Sequence, residues 1–174
     1  EKPAPFVHKM DFYSIVSTHE GHDGKQVTSQ VLNIRRFDMP TEDVIEHLQL
    51  EPGTPVVYIK RLFLFDDKPL AVGRSWLSLA RFPGLDETGL GEKGLTATLR
   101  SRYNTIIRRF NDAIEAVRPA PDERNLLDVS YDCPLLMVRG LSFDQHNVPV
   151  EYSTTYWLGD KVRFTVSMNT QEVE

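Results

Sequence analysis

Cysteine is nearly missing from this chain: Cys133 is the one in 174 residues, which excludes an intramolecular disulfide and any cysteine-rich zinc site. Beside Pro134 it reads as a buried small hydrophobe, in keeping with a reducing compartment. No apolar run approaches the roughly 20 residues that span a bilayer, and no charged-then-apolar leader opens the chain. We therefore expect a cytoplasmic protein with no membrane partner. Positive charge is also short. Lys and Arg number 20 against 25 Asp and Glu, a net charge of −5, the wrong sign for a surface that grips a phosphate backbone. Catalytic signatures are lacking as well: there is no G-x-S-x-G elbow, P-loop or H-E-x-x-H, and no His–Cys nucleophile pair. Asp66-Asp67 is better read as turn chemistry than as a carboxylate pair. His19 and His22 have metal-ligand spacing but no strong third ligand near them, and zinc needs three or four. Neither a metal nor a cofactor is expected.

What is present is alternation. Hydrophobic residues make up 40% of the chain, enough for one sizeable core and a single domain. Residues 1–24 mix Pro, Gly and His and read as a lead-in, leaving 25–174 as the folded unit. The start at Glu1 rather than a methionine suggests a segment removed upstream. The organising stretch is Pro134 to Phe164: Leu135, Met137, Arg139, Leu141 and Phe143 share one face of a strand, and Val150, Tyr152, Thr154 and Tyr156 alternate with Glu151, Ser153, Thr155 and Trp157 on the next. Asp144-Gln145-His146-Asn147 supplies the turn of an antiparallel hairpin. Val56 to Leu77 repeats the design loosely, with Arg61, an Asp66-Asp67 turn and Pro69 opening the return strand.

Around these hairpins, Lys25 to Phe37 alternates as a strand. Pro40-Thr41-Glu42-Asp43 starts a short helix with Val44, Ile45 and Leu48 on one stripe. Leu95, Leu99 and Tyr103 have helical spacing, Ile106 to Val117 alternates in part, Pro121-Asp122-Glu123 starts another short helix, and Lys161 to Thr170 reads as a last strand. This order predicts an α+β domain on a largely antiparallel sheet. An arginine among Leu, Ile and Val must snorkel, pair with an acid or line a cavity, so Arg61 and Arg139 are either paired or aimed at an anionic ligand. Glu151 is their candidate partner. Phe63 and Trp157 read first as core residues and second as pocket walls.

The run TEDVIEHLQLEPGTPVVYIKRLFLFDDKPLAVGRSWL, followed by RFPGL, LTATLRSRYN and PLLMVRGLSFDQHNVPVEYSTTYWLGDKVRF, resembles the UTRA domain. That is the effector-binding domain of the HutC-type branch of GntR transcriptional regulators, with a chorismate-lyase-like fold. The resemblance covers Val27 to the C-terminus. It implies a six-stranded antiparallel sheet with short flanking helices, a small-molecule metabolite effector, a homodimer, and operator DNA bound only through an N-terminal winged helix-turn-helix, which is absent from this chain. In sugar-phosphate-sensing relatives an R-x-R pair on the first hairpin holds phosphate; here Arg61 is kept and Phe63 takes the second place. Gly94-Leu95-Thr96 stands where those relatives have S-L-Y, and Gly73 where they often have an acid. The acid of P-V-E is kept as Glu151, and the aromatic six residues on is Trp157. These departures imply a smaller or more apolar acid, or an amine-bearing metabolite, in a cavity formed by Arg61, Phe63, Thr96, Arg139, Glu151 and Trp157. We expect the sensing domain of a repressor; the alternative is a chorismate-lyase-like enzyme on the same fold.

Overall fold

A computed structural model describes residues 6–9 and 27–165. In chain order its elements are β1 (Phe6–Lys9), β2 (Val27–Phe37), α1 (Glu42–Leu48), β3 (Val56–Phe65), β4 (Lys68–Ser78), α2 (Leu85–Thr88), α3 (Gly94–Tyr103), β5 (Ile107–Val117), α4 (Pro121–Leu127), β6 (Leu135–Asp144), β7 (Pro149–Leu158) and β8 (Val162–Thr165). The two expected hairpins, β3–β4 and β6–β7, lie side by side, with their return strands β4 and β7 paired to each other. Flanked by β2 and β5, they form a six-stranded antiparallel sheet in the order β2-β3-β4-β7-β6-β5. Two features were not legible in the sequence. The four-residue helix α2 is one; the other is β1, which lies within the expected lead-in and pairs in parallel with β8. His19 and His22, and the expected strand beyond Thr165, lie outside the described residues.

Turn chemistry sets both hairpins. Asp66 and Asp67 have φ of 54° and 58°, the left-handed pair that a two-residue turn needs to match strand twist, and a short polar side chain tolerates it. In the longer second turn the Asp144 carboxylate accepts the N–H groups of His146 at 2.8 Å and Val148 at 2.9 Å, and pairs with Arg81. Burial opposes ionisation of Asp144, but those hydrogen bonds and the guanidinium outweigh it and hold the carboxyl below its usual range.

The sheet is covered on both faces. On one, α1 sets Val44 and Leu48 against Val56 and Tyr152, and α4 sets Leu127 against Val72, Leu135 and Leu158. Arg74 and Lys60 reach from this face to Asp122 at 2.6 and 2.7 Å and hold the start of α4. On the other face the cover comes in two pieces. Phe82, with Leu85 of α2 and Leu95 and Leu99 of α3, packs on Val57, Ile59 and Leu77 at one end. Val162 and Phe164 of β8 pack on Phe63, Ala71, Val138 and Trp157 at the other. The middle of that face lies between two apolar lids.

Phe82 is fully buried under the first lid and edges onto Tyr103, with ring centroids 5.2 Å apart. Phe82→Ala should destabilise the fold by about 3–5 kcal/mol, read as a lowered urea midpoint at unchanged m-value. A loss below about 1 kcal/mol would show that α2 and α3 do not depend on this contact.

Candidate functional site

Strand parity and register together decide what occupies the middle of the two-lidded face. Arg61 pairs with Gly73, Gly73 with Thr155 and Thr155 with Val138, so Arg61, Gly73 and Thr155 point the same way across three strands. One step along, Ser75, Ser153 and Gly140 are opposite one another, followed by the Glu151–Ser142 pair. On the edge strand, Asp112 faces Gly140. A sheet face that is otherwise apolar thus carries a band of Gly, Ser and Thr with one guanidinium and two carboxylates set in it.

The guanidinium is the most constrained of these groups. Arg61 is 4% exposed. Its Nη2 donates to Ser75 Oγ at 2.9 Å and lies 3.4 Å from Glu151 Oε1, while Ser75 Oγ donates to the same carboxylate oxygen at 2.5 Å. The cation rests over the Phe63 ring, 5.2 Å from its centroid, and that ring stacks on Trp157 at 6.1 Å. Burial pulls the Arg61 pKa down and Glu151 pushes it back; an arginine beside a carboxylate keeps its charge. Its Nε–H is buried with no hydrogen-bond partner. Gly73 makes the arrangement possible: a Cβ there would stand 2.7 Å from the Phe63 ring and 3.4 Å from Thr155 Oγ1. The glycine noted as a departure from relatives is thus what seats Phe63.

Asp112 was not singled out by sequence reasoning. Its carboxyl is pushed up to about 6, first by burial and then by the charge of Glu151. It lies over Gly140, where a Cβ would come within 1.6 Å of Asp112 Oδ1, so the absent side chain is what gives the carboxyl room. Asp112 Oδ2 and Ser142 Oγ are both buried without a hydrogen-bond partner. The one sequence signal was Asp112 interrupting the apolar positions Phe110 and Ile114 at period two.

The expected cavity is corrected at one position. Arg139 pairs with Thr154 and Ala113, which puts it on the opposite face from Arg61, and it is exposed. Shifting a strand by one residue exchanges its faces, and the β4–β7 register aligns Gly73 with Thr155 rather than Thr154. On Arg139's face the buried acid of α4, Glu123, is taken by Arg74 instead. The expected walls Phe63 and Trp157 are core residues, 1% and 2% exposed, that form the floor beside Arg61. Thr96 is half-buried in the first turn of α3, on the lid over the neighbouring end of this face, and takes no part in the Arg61–Ser75–Glu151 bonds. Among the described residues no group of three or more His, Cys, Asp or Glu could hold a metal ion, and no helix is long and apolar enough to cross a membrane.

Residues 22–163 match the UTRA domain family, with this sheet and this charged band inside the matched span. The chain belongs to the UTRA domain family. The helix-turn-helix transcriptional repressor PhnF of Mycolicibacterium smegmatis is 29% identical over 77% of this UTRA domain chain and 55% of its own length. The probable fructoselysine utilization operon repressor of Escherichia coli is 23% identical over 82% and 58%. The chain therefore spans just over half the length of these curated relatives. Among solved structures, PhnF from Mycobacterium smegmatis covers 97% of this chain, 74% of its own, at a TM-score of 0.86 and 24% identity. The ligand-binding domain of a GntR-family regulator from Bordetella bronchiseptica covers 90% of this chain and 99% of its own, at 0.79 and 25%. The α+β fold with its six-stranded antiparallel sheet is thus shared with UTRA effector domains, and relatives named as transcriptional regulators do not favour the lyase alternative.

The Asp112 environment has a measurable consequence. Its folded-state pKa, about 6, lies above the unfolded value of about 3.9, so the folded protein binds the proton more tightly. Wild-type stability should then fall as pH rises from about 4 through 6, while Asp112→Asn lacks that loss. The Asn variant should melt a few degrees higher than wild type near pH 7.5, with the difference shrinking to nothing below about pH 3.5. A difference that does not change with pH would show that Asp112 is not held in this state.

Proposed function

We propose that this UTRA domain is the effector-sensing and dimerising part of a bacterial GntR-type transcriptional repressor of the HutC branch. In this proposal residues 1–24 are a lead-in and 25–174 the sensing unit. The observation that carries it is the buried Arg61 guanidinium, with one N–H left unsatisfied on a band of small polar residues between two apolar lids. A buried donor without a partner costs roughly 1–3 kcal/mol, and an anionic oxygen arriving from a ligand would recover it. Arg61 therefore holds the anionic end of a small metabolite, Glu151 accepts from a donor on the same molecule, and Phe63 and Trp157 form the floor. A carboxylate suits the space better than a phosphate, because Phe63 stands where the second arginine of phosphate-sensing relatives is expected.

Operator DNA would be contacted through a helix-turn-helix in the part of the regulator that the matched relatives have beyond this segment. A net charge of −5 agrees with a domain that does not grip DNA itself. Ligand binding between the lids would favour one arrangement of α2, α3 and β8 and so bias the DNA-bound state. The regulator would act in the cytoplasm as a homodimer, with the edge strands β2 and β5 as candidate pairing surfaces.

Two measurements test this. A thermal-shift screen of small metabolite acids should find a stabilising ligand, by about 2.7 kcal/mol at a hundred times its dissociation constant. Arg61→Ala should abolish that shift, Glu151→Gln should change which ligands produce it, and equal binding by wild type and both variants would remove the site from this face. Sedimentation at roughly tens of micromolar should show a dimer, and a monomer there would contradict the assembly.

A further inference from the structure

We propose that Asp112, Ser142 and Glu151 form an ammonium subsite, so that the effector is a small zwitterion whose cationic amine lies against β5 and β6 while its anion meets Arg61. This rests on the effector-sensing role above and adds the chemical class of the ligand. Three observations carry it. Charge on this face is unbalanced: one guanidinium stands with two carboxylates, and both the Arg61 and Ser75 bonds converge on Glu151 Oε1, leaving Oε2 outside them. Asp112 Oδ2 is buried and unpartnered, in a place kept open for its carboxyl by the missing side chain of Gly140. Ser142, 4% exposed, directly opposite Glu151 in the register and on the same face as Asp112, also has a buried oxygen without a partner.

An ammonium group carries three N–H donors and no acceptor, and these oxygens offer it acceptors from three side chains. A neutral hydroxyl supplies one donor and no charge, so it would leave two carboxylates facing each other. The raised pKa of Asp112 is consistent with the geometry, since burial and the Glu151 charge act on its carboxylate with no opposing positive charge. The other charged group on this part of the face, Arg61, is already engaged with Glu151 and Ser75. The anionic and cationic ends are thus read by different strands, Arg61 on β3 and Asp112 on β5.

Matched probes test it: β-alanine, 4-aminobutyrate and 5-aminovalerate against the ω-hydroxy acids of the same lengths, titrated calorimetrically into wild type, Asp112→Asn, Gly140→Ala and Arg61→Lys. Circular dichroism would verify each fold. Wild type should bind at least one amino acid about ten- to a hundred-fold more tightly than its hydroxy partner, the usual range for a charged hydrogen bond. Asp112→Asn should erase that preference. Gly140→Ala, which evicts the carboxylate without removing it, should do the same. If wild type binds both series equally and Arg61→Lys weakens both, the ammonium subsite is overturned and the anion-sensing role stands. If binding is indifferent to Arg61→Lys, the site itself is misplaced. Failure of both series to bind at about 10 mM overturns the subsite, while the wider acid screen still decides the sensing role.

Discussion

A guanidinium taken out of water in mid-strand is the constraint around which this sheet is arranged. An uncompensated buried charge is far too costly to keep, so Arg61 requires a carboxylate, and Glu151 comes to it from two strands away with Ser75 between them. The same charge requires an aromatic beneath it, and Phe63 fits only because Gly73 on the next strand has no side chain. Five positions on β3, β4 and β7 are thereby tied together. Removing any one leaves either a buried ion without its partner or a ring without its seat.

That tie explains how one face combines core and site. The apolar cover is divided into an α2–α3 lid and a β8 lid, and the band between them is built from Gly, Ser and Thr. The opposite face shows the contrast. There the buried acid Glu123 and its neighbour Asp122 are met by Arg74 and Lys60, so the charges close on one another and anchor α4. Ion pairs that satisfy themselves hold a helix; the Arg61 face instead keeps a donor and two acceptor oxygens unfilled.

Much of the fold was readable because it rests on local periodicity. Alternation gave β3, β4, β6 and β7, two aspartates gave the tight turn, and acids after Pro40 and at Pro121 gave α1 and α4. Arg61 and Glu151 were readable because a charge on an apolar strand has few explanations. Arg139 looked equivalent, and within its hairpin it was. Its face depends on how β4 meets β7, a pairing between residues about eighty positions apart, and no local pattern encodes that register. Asp112 was hidden for the same reason: its neighbours Gly140 and Glu151 are brought to it only by sheet order. The short α2 and the β1–β8 pairing lacked periodicity altogether.

In the proposed sensor a ligand completes the hydrogen bonding of Arg61. Arginine Nε–H resonances followed by ¹⁵N NMR during titration with a stabilising ligand test it most directly. The Arg61 Nε–H signal should move, saturating at the same ligand concentration as the thermal shift, because that donor is buried without a partner. A ligand that stabilises the protein and moves other signals while the Arg61 Nε–H stays in place would contradict the account.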